Sequence, residues 1–376
     1  MKVLKVAELF SGIGGMHCGL KLWEESQREA GRQIGCEVTL AMDFSERARE
    51  VYKYNFPTVT PSSRNVTAQS LQFWIDLNVD VWMLSPPCQP YTRQGLKKES
   101  KDIRSNSLSY LLNIIEELPE EFRPRCILLE NVHGFESSDM RDATVKTLSA
   151  TGYQVREFLL TPIHFGVPNF RLRYFLCARR FDEDECLTAV WSQGVNDTPA
   201  ANIIRYIPGF DGDLNWCCPI DPISRFLDKN IPPIADREED EEIMQQLILS
   251  LERKVKNWGS IDLVRASDKH TCCFTKAYGK YLAKTGSVLL LNEAALDWKT
   301  STDTPLREVK DYITAANASV RLFSANEMLR LHCFPTWFTF PPNMQQERPK
   351  MMLIGNSLNV RIVSFLCGFL FDGIGS

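Results

Sequence analysis

The sequence predicts an α/β fold, built on a mostly parallel sheet with helices on both faces. Apolar, β-rich runs alternate with helical patterns from the N-terminus to about residue 190, which is typical of repeated strand and helix units. A glycine-rich stretch follows the first run. Polar residues stand at or directly after the ends of three later runs, where open parallel sheets bind their ligands.

Five runs are predicted strands and three segments are predicted helices. The strands are Val3 to Phe10, Val38 to Met42, Val79 to Leu84, Cys126 to Leu129 and Tyr174 to Ala178. The helices have apolar residues at three- and four-residue spacing, and they are Gly15 to Arg28, Glu46 to Asn55 and Ser107 to Leu118. The pattern weakens after about residue 190 and returns near the C-terminus. We therefore expect one domain of residues 1–190 and 345–376, and a smaller domain of residues 191–344.

Composition limits the classes of function that fit. The 376 residues are 44% hydrophobic and 24% charged, as in a folded globular protein. A net charge of -4 gives no global positive field, so a nucleic acid would have to be held by local basic clusters. We find neither a signal sequence nor a run of about 20 apolar residues. We therefore expect a soluble intracellular protein that does not bind a membrane.

The cysteines do not have the spacing of a metal site. There are 12 of them, but no C-x-x-C pair, and the adjacent pairs Cys217-Cys218 and Cys272-Cys273 cannot easily place two thiolates on one zinc ion. Without a secretory signal, free thiols are expected. The sequence therefore predicts no metal ion.

The loop after the first strand is a candidate binding site. Its glycines would let the main chain approach a ligand at the start of the next helix. The full G-x-G-x-x-G fingerprint is absent, because position 17 is histidine, and a tight structural turn is the alternative reading. Asp43, at the end of the second strand, can accept a ribose hydroxyl, while Asn65 and Val66 can hold an adenine edge. The loop itself consists of Phe10, Ser11, Gly12, Ile13, Gly14 and Gly15.

Cys88 is the predicted nucleophile. It lies in Ser85-Pro86-Pro87-Cys88-Gln89-Pro90, directly after the strand that ends at Leu84. The two prolines before it fix the turn and would present Cys88 at the carboxyl end of the sheet. Most single cysteines are buried and inert, but a rigid turn at the ligand edge is a poor place to bury a thiol.

Three charged residues are predicted to converge with this thiol. Glu130 follows the strand Cys126 to Leu129, and Arg171 and Arg173 lie on one face at the start of another strand. A carboxylate, two guanidinium groups and a thiol from separate parts of the chain form a candidate active site. An ion pair with a purely structural role, between Glu130 and an arginine, is the alternative.

Taken in order, these segments resemble the motifs of the cytosine-5 methyltransferases. The resemblance spans nearly the whole chain and is weakest over residues 190–265. It implies a Rossmann-like, S-adenosylmethionine-dependent methyltransferase fold with a smaller target-recognition domain. It also implies S-adenosylmethionine as the cofactor, and adds Ser85, Asn356 and Ser357 to the predicted cofactor-binding residues. The matching segments are Phe10 to Gly15, Pro86 to Gln89, Glu130 to Val132, Arg171 to Arg173 and Gly355 to Ser357.

One branch of that family fits better than the rest. Cys272 to Gly279, with Thr285 to Val288, resembles the signature of the branch that methylates aspartate tRNA, and so does Pro90 to Arg93 after the predicted nucleophile. Asn169-Phe170 departs from the Gln-Arg that many relatives carry, which leaves the local hydrogen-bond partners open. The resemblance implies methylation of cytosine 38 in the anticodon loop of aspartate tRNA.

The resemblance also implies a role for each predicted residue. Cys88 attacks carbon 6 of cytosine, Glu130 contacts the ring at N3 and the exocyclic amine, and nearby Arg171 or Arg173 favours the thiolate. Lys101 and Arg104 extend a basic run that starts after the nucleophile and could bind phosphates, although a solvated loop is an equal explanation. The predicted substrate-binding residues are Arg93, Lys97, Lys98, Cys273, Phe274 and Thr275.

Two other functions stay open on the sequence alone. The same catalytic parts would serve a DNA cytosine-5 methyltransferase, and only the Cys273-Phe274-Thr275 signature separates it from a tRNA enzyme. A non-catalytic nucleic-acid-binding regulator is disfavoured, because Cys88, Glu130 and both arginines are present. We expect tRNA as the main partner with weak DNA binding, and a monomer in the cytoplasm and also the nucleus.

Overall fold

The computed structural model of the chain describes residues 2–87, 106–181, 191, 203–204, 218–228, 238–292 and 318–374. The chain divides into two compact units. The first contains Met1–Leu160, Leu172–Trp216 and Val360–Ser376, and the second contains Thr161–Arg171 and Cys217–Asn359. These boundaries differ from the predicted ones, because residues 161–171 and 345–359 group with the second unit and residues 191–216 with the first.

The strands and helices can be numbered along the chain. The first unit holds β1 to β7, α1 to α5 and α10, and the second holds the rest. The strands are β1 (Lys2–Leu9), β2 (Ile34–Met42), β3 (Val81–Leu84), β4 (Cys126–Val132), β5 (Gln154–Leu160), β6 (Arg173–Arg179), β7 (Ile203–Ile204), β8 (Asp262–Val264), β9 (Ser287–Leu290) and β10 (Val320–Arg321). The helices are α1 (Gly15–Glu29), α2 (Glu46–Asn55), α3 (Leu71–Leu77), α4 (Asn106–Glu117), α5 (Asp139–Ala150), α6 (Glu238–Leu247), α7 (Leu251–Asn257), α8 (Ala325–Leu331), α9 (Glu347–Gly355) and α10 (Val360–Leu370).

The sheet of the first unit is mostly parallel, as predicted. Its strand order is β2-β1-β3-β4-β6-β5-β7. β1 pairs in parallel with β2 and β3, and β3 pairs in parallel with β4, whereas β6 runs antiparallel to β4 and β5. The carboxyl ends of β1 to β4 therefore meet at one edge of the sheet, which is where an open α/β sheet places its site.

Helices cover both faces of this sheet. On one face, α1 packs against α10 so closely that a Cβ at Gly19 would overlap the side chain of Val363. On the other face, α4 packs against α3 and α5 over a core that includes Trp82, Leu129 and Tyr174. Three of the helices begin at serine side chains that accept a main-chain N–H, a favourable N-cap: Ser45, Ser70 and Ser138.

The second unit is built on a three-stranded sheet in the order β10-β9-β8. β8 and β9 are parallel, and β9 and β10 are antiparallel. A capping box starts α8, because the side chains of Ser324 and Glu327 each accept the other's main-chain N–H. Glu327 is itself held by a bidentate ion pair with Arg321, both at 2.7 Å. These bonds pair a carboxylate and a guanidinium that are almost fully buried.

Two strand predictions need correction. β4 continues to Val132 and keeps its pairing with β6, so Glu130 lies within the strand and not after it. β5 carries the sequence QVREFLL and is absent from the predicted runs, because its charged residues hide the apolar pattern. The buried carboxylate of Glu157 in β5 is compensated by Arg141 and by the hydroxyl of Tyr174.

One segment of the described chain, Glu347–Leu370, is long and apolar enough to cross a membrane. Within the structure, 67% of its apolar window is buried, and the segment forms two helices, α9 and α10, with residues 356–359 between them. A core helix passes the same test of length and composition, so this feature is weak evidence of a membrane span.

Candidate active site

The loop between β1 and α1 turns sharply enough to require glycine at two positions. The angle φ is +54° at Gly12 and +90° at Gly14, a region that residues with a side chain rarely adopt. A Cβ at Gly14 would also lie 2.5 Å from Cε2 of Phe56. The main-chain N–H of Ser11 donates to the carbonyl of Met42 at 2.9 Å, so the loop is tied to the end of β2.

The remaining predicted residues of this loop serve its shape. Phe10 is half-buried and has a φ of +60°. Ile13 is only 1% exposed, and Gly15 opens α1. Because the side chain of Ile13 is in the core, only its main chain is available to a ligand.

Asp43 holds the glycine loop in place. One oxygen of its carboxylate accepts the N–H of Gly12 at 2.8 Å, and the other accepts the N–H of Ser45 at 2.7 Å. The main-chain N–H of Asp43 donates to the carbonyl of Ser62 at 3.0 Å. Each carboxylate oxygen can accept more than one hydrogen bond, so Asp43 can fix the loop and still bind a hydroxyl.

Three features in and beside this loop suit a nucleoside. The hydroxyl of Ser11 is buried and has no hydrogen-bond partner among the described residues, while the Cβ position of Gly12 has no described atom within 4 Å. Phe44, which the sequence reasoning did not select, directly follows Asp43 and is 62% exposed. An exposed aromatic ring beside polar acceptors offers a stacking surface for a flat base.

The predicted adenine-edge residues have different positions. Asn65 is exposed, and its side chain accepts the N–H of Thr67 at 3.0 Å to cap a short turn. Val66 is 2% exposed and packs in the main core. The side chain of Val66 is therefore not available to an adenine edge. The predicted contact would have to use the main chain of Val66.

Ser85, Glu130 and Arg173 form a polar cluster in the first unit. The hydroxyl of Ser85 donates to Oε2 of Glu130 at 2.8 Å, and Nε of Arg173 lies 3.6 Å from Oε1. The side chains of Glu130 and Arg173 are 13% and 17% exposed, so the ion pair is mostly shielded from water. Each oxygen of the Glu130 carboxylate thus has a partner, which fixes the orientation of the group at the edge of the sheet where β3 ends. Ser85 was predicted as a cofactor residue, and its observed partner is Glu130.

Arg171 has different partners from Arg173, which corrects the expectation that both arginines stand on one strand face. β6 begins only at Arg173, and Arg171 lies in the second unit. Its guanidinium donates to the carbonyl of Phe274 at 2.9 Å, to that of Gly355 at 3.2 Å and to that of Ser357. The group is 3% exposed, so these bonds make Arg171 a structural residue of that unit.

The departure at Asn169-Phe170 is accommodated locally. Asn169 is fully buried, and its amide donates to the hydroxyl of Thr271 at 3.0 Å and to the carbonyl of Cys272 at 3.1 Å. Phe170 is 48% exposed and stacks on His270. Asparagine therefore supplies hydrogen bonds inside the second unit, and Phe170 leaves an aromatic ring on its surface.

The Cys273-Phe274-Thr275 segment is partly core. Phe274 is 0% exposed and packs edge-on against Tyr278, with ring centroids 4.9 Å apart. A ring buried in this way is part of the core of the second unit, and the role predicted for Phe274 in substrate binding stays a prediction. Cys273 and Thr275 are half-buried, and Sγ of Cys273 lies 3.3 Å from Nη1 of Arg171.

The Gly355-Asn356-Ser357 segment follows the end of α9. A Cβ at Gly355 would overlap the main chain of Thr275, which explains the glycine. Asn356 is exposed, and Ser357 is half-buried with its carbonyl bound to Arg171. Asn356 is therefore accessible to a ligand, and the main chain of Ser357 is part of the structural network around Arg171.

Several predicted site residues lie outside the described residues. They are Cys88, the predicted nucleophile, and the predicted phosphate-binding residues Arg93, Lys97 and Lys98. Among the residues that are described, no group of three or more His, Cys, Asp or Glu side chains could hold a metal ion.

A buried polar network beneath the glycine loop was missed by the sequence reasoning. The hydroxyl of Tyr52 donates to Glu8 at 2.8 Å and lies 2.9 Å from Nδ1 of His17. Burial raises the pKa of Glu8 to about 8 and lowers the pKa of His17 to about 3. Both groups are therefore held uncharged at pH 7. Glu8 is the one carboxylate of β1 and stands among the buried residues Val6, Ala7 and Leu9. A lone acidic residue within that apolar run was the signal in the sequence.

The family of the chain follows from its comparison with known proteins. The model of the C-5 cytosine-specific DNA methylase family matches residues 4–371. The chain belongs to this family. This methylase is 33% identical to the "tRNA (cytosine(38)-C(5))-methyltransferase" of Rattus norvegicus, over 97% of this chain and 98% of the relative. It is 32% identical to the "DNA (cytosine-5)-methyltransferase" of Dictyostelium discoideum, over 97% of this chain and 94% of the relative.

The fold is also shared with solved members of the family. A crystal structure of a Spodoptera frugiperda DNMT2 mutant is 31% identical and has a TM-score of 0.72, covering 98% of this chain and 100% of that one. The predicted fold class is therefore confirmed, and the methylase has the S-adenosylmethionine-dependent fold. S-Adenosylmethionine is the methyl donor of the family, and the unpaired hydroxyl of Ser11 and the open space at Gly12 fit such a nucleoside cofactor.

Proposed function

We propose that this methylase modifies tRNA, at cytosine 38 in the anticodon loop of aspartate tRNA. The observation that carries the proposal is the 33% identity to the rat tRNA (cytosine(38)-C(5))-methyltransferase over nearly the full length of both chains. The Cys273-Phe274-Thr275 signature and the exposed aromatic at Phe170 in the second unit support it. The free energy needed to extrude the target base also favours a loop, since it is smaller for an unpaired base than for a base in a duplex.

DNA is the second candidate substrate. The Dictyostelium relative named as a DNA (cytosine-5)-methyltransferase is 32% identical over 97% of this chain, so overall identity alone does not separate the two. With a net charge of -4, however, the protein has little non-specific attraction for a long duplex. A substrate of fixed shape that meets a few local basic groups suits it better.

The proposed nucleophile is Cys88. Its thiolate adds to carbon 6 of cytosine, which makes carbon 5 nucleophilic enough to accept a methyl group. S-Adenosylmethionine supplies that group from a sulfonium centre. A base then removes the proton from carbon 5, and the electron pair left behind restores the double bond as the thiolate leaves carbon 6. A free thiol is only partly ionised near neutral pH, so a cation beside it would favour the thiolate, and Arg173 is proposed for this role.

Glu130 is proposed to bind the cytosine ring. A protonated carboxyl donating to N3 would stabilise the adduct by drawing charge from the ring. The hydroxyl of Ser85, 2.8 Å away, and the guanidinium of Arg173, 3.6 Å away, keep the carboxyl in one orientation. Such preorganisation matters because misplacement by about 1 Å can cost about 100-fold in rate.

The glycine loop is proposed to hold the cofactor. Ser11 would donate or accept the hydrogen bond that it lacks among the described residues, and Asp43 would bind the ribose while fixing Gly12. Phe44 would stack on the adenine. Asn65, which is exposed, would reach an edge of the nucleoside. The cofactor contact predicted for Asn356, an exposed residue of the second unit, stays a prediction.

The substrate proposal is tested by initial rates of methyl transfer. Three substrates are compared: aspartate tRNA transcribed in vitro, the same tRNA with cytosine 38 replaced by uridine, and duplex DNA of equal cytosine content. We expect methylation of the first substrate only. If the replaced tRNA is modified as fast as the original, the target is another position. If DNA is modified as fast as the tRNA, the DNA function takes the lead.

A further inference from the structure

One stretch of the second unit departs from the acidic character of the chain. The net charge of the protein is -4, yet residues 269–292 include four lysines and no aspartate or glutamate. All four are exposed, and none has an ion pair with any residue that the structure describes. These lysines are Lys269, Lys276, Lys280 and Lys284.

The centre of this stretch is a rigid turn. Gly279 has a φ of +79°, and the N–H groups of Lys280 and Tyr281 both donate to the carbonyl of Ala277, at 3.0 and 3.1 Å. Tyr278 anchors the turn from inside, because its buried hydroxyl donates to the carbonyl of Ser287 at 2.7 Å. The side chains that follow are therefore presented outward from a fixed main chain.

Two arginines from neighbouring helices add to the charge at this turn. Arg253 of α7 donates to the carbonyl of Gly279 at 2.9 Å. Arg348 of α9 is exposed, and its Cγ lies 3.9 Å from the position that a Cβ of Gly279 would occupy. We call this surface the Gly279 face, and it consists of Arg253, Lys276, Lys280, Tyr281, Lys284 and Arg348.

An exposed aromatic ring lies within the positive charge. Tyr281 is 56% exposed, and Nζ of Lys280 lies 5.1 Å from the centre of its ring. Surfaces that bind single-stranded nucleic acid combine cations for the backbone with aromatic rings on which bases stack. A merely solubilising surface usually mixes both signs of charge, and this stretch has only one.

We infer that the Gly279 face binds the ribose-phosphate backbone of a folded RNA, with Tyr281 stacking on an unpaired base. The charge is complementary to phosphates, and the fixed turn suits a substrate whose phosphates hold fixed positions. The inference rests on the proposed function, in that the RNA is the substrate of the methylase. It deepens that function by assigning a substrate-contacting surface to the second unit.

The test measures the dissociation constant of aspartate tRNA at several salt concentrations. We expect the double variant Lys280→Gln and Lys284→Gln to bind about tenfold more weakly and to lower the salt slope by about one to two. Tyr281→Leu should weaken binding about fivefold or more with an unchanged salt slope, because it removes stacking and no charge. A double variant at exposed lysines of the first unit, Lys5→Gln and Lys146→Gln, is the matched control.

The outcomes separate this inference from the proposed function. Methylation of cytosine 38 by the unaltered protein tests the function, whereas the binding constants test the face. Equal tRNA affinity and salt slope in the face variant and the unaltered protein would overturn the inference even if the tRNA is methylated. The inference would also be overturned if the control variant lost as much tRNA affinity as the face variant. The same holds if the face variant lost affinity for duplex DNA but not for tRNA. Unchanged thermal midpoints should show that these exposed substitutions leave the fold intact.

Discussion

Replacing Arg171 with methionine should loosen the second unit, although the sequence marks this residue as catalytic. Methionine keeps the apolar stem and removes the guanidinium that donates to the carbonyls of Phe274, Gly355 and Ser357. A buried acceptor that loses its donor costs about 1–3 kcal/mol. The three carbonyls share one donor group, so we expect a total of about 3–5 kcal/mol, as for other broken buried charge networks.

Hydrogen exchange measures this loss where it should occur. In Arg171→Met, the peptides that cover residues 271–290 and 350–358 should exchange faster than in the unaltered protein. Arg173→Met is the comparison, because Arg173 contacts Glu130 in the first unit. That variant should lower the turnover rate and leave exchange in those peptides unchanged. Normal protection in Arg171→Met would refute the assignment of this arginine as a structural residue.

Three further outcomes concern Asp43, Glu8 and Gly355. Asp43→Ala should weaken S-adenosylmethionine binding about tenfold to a hundredfold by calorimetry, because the carboxylate fixes the N–H of Gly12; unchanged affinity would make Asp43 a capping residue only. Burial raises the pKa of Glu8 from 4.5 to about 8. Between these two pH values Glu8 is ionised in the unfolded chain and protonated in the folded protein. The free energy of unfolding therefore falls as pH rises through this range. Glu8→Gln should therefore gain stability over the unaltered protein between pH 5 and pH 9, by at most about 4 kcal/mol, and an equal gain in the exposed control Glu46→Gln would contradict this cause. Gly355→Ala should lower the thermal midpoint by several degrees, since its Cβ overlaps the main chain of Thr275; an unchanged midpoint would show that the two segments can move apart.

Most strands of the first half were predictable because each contains a run of apolar residues. β3 has the sequence VWML and is buried at every position, so the pattern alone identifies it. β5 escaped prediction because Glu157 interrupts its apolar run, and only the structure shows that Arg141 neutralises this charge. A buried ion pair joins residues far apart in sequence, which no local pattern reveals.

The candidate site shows the same limit. Glu130 and Arg173 were selected as polar residues at the ends of predicted strands, and the structure brings them within 3.6 Å. Arg171 is only two residues from Arg173 but faces the carbonyls of a segment near residue 355, which spacing could not indicate. Phe274 matched a signature and proved to be core, because a motif records which residues recur and not which of them reach the surface.

The central claim is that Cys88 attacks a cytosine of tRNA, and a trapped adduct tests it most directly. Aspartate tRNA carrying 5-fluorocytidine at position 38 would be incubated with the protein and S-adenosylmethionine. Fluorine cannot leave carbon 5 as a proton does, so the adduct formed by thiolate addition should persist. We expect a covalent protein–RNA complex in denaturing gels, with the modified peptide mapped to Cys88 and no complex from Cys88→Ala. A complex that survives in Cys88→Ala, or an adduct mapped to another cysteine, would contradict the account.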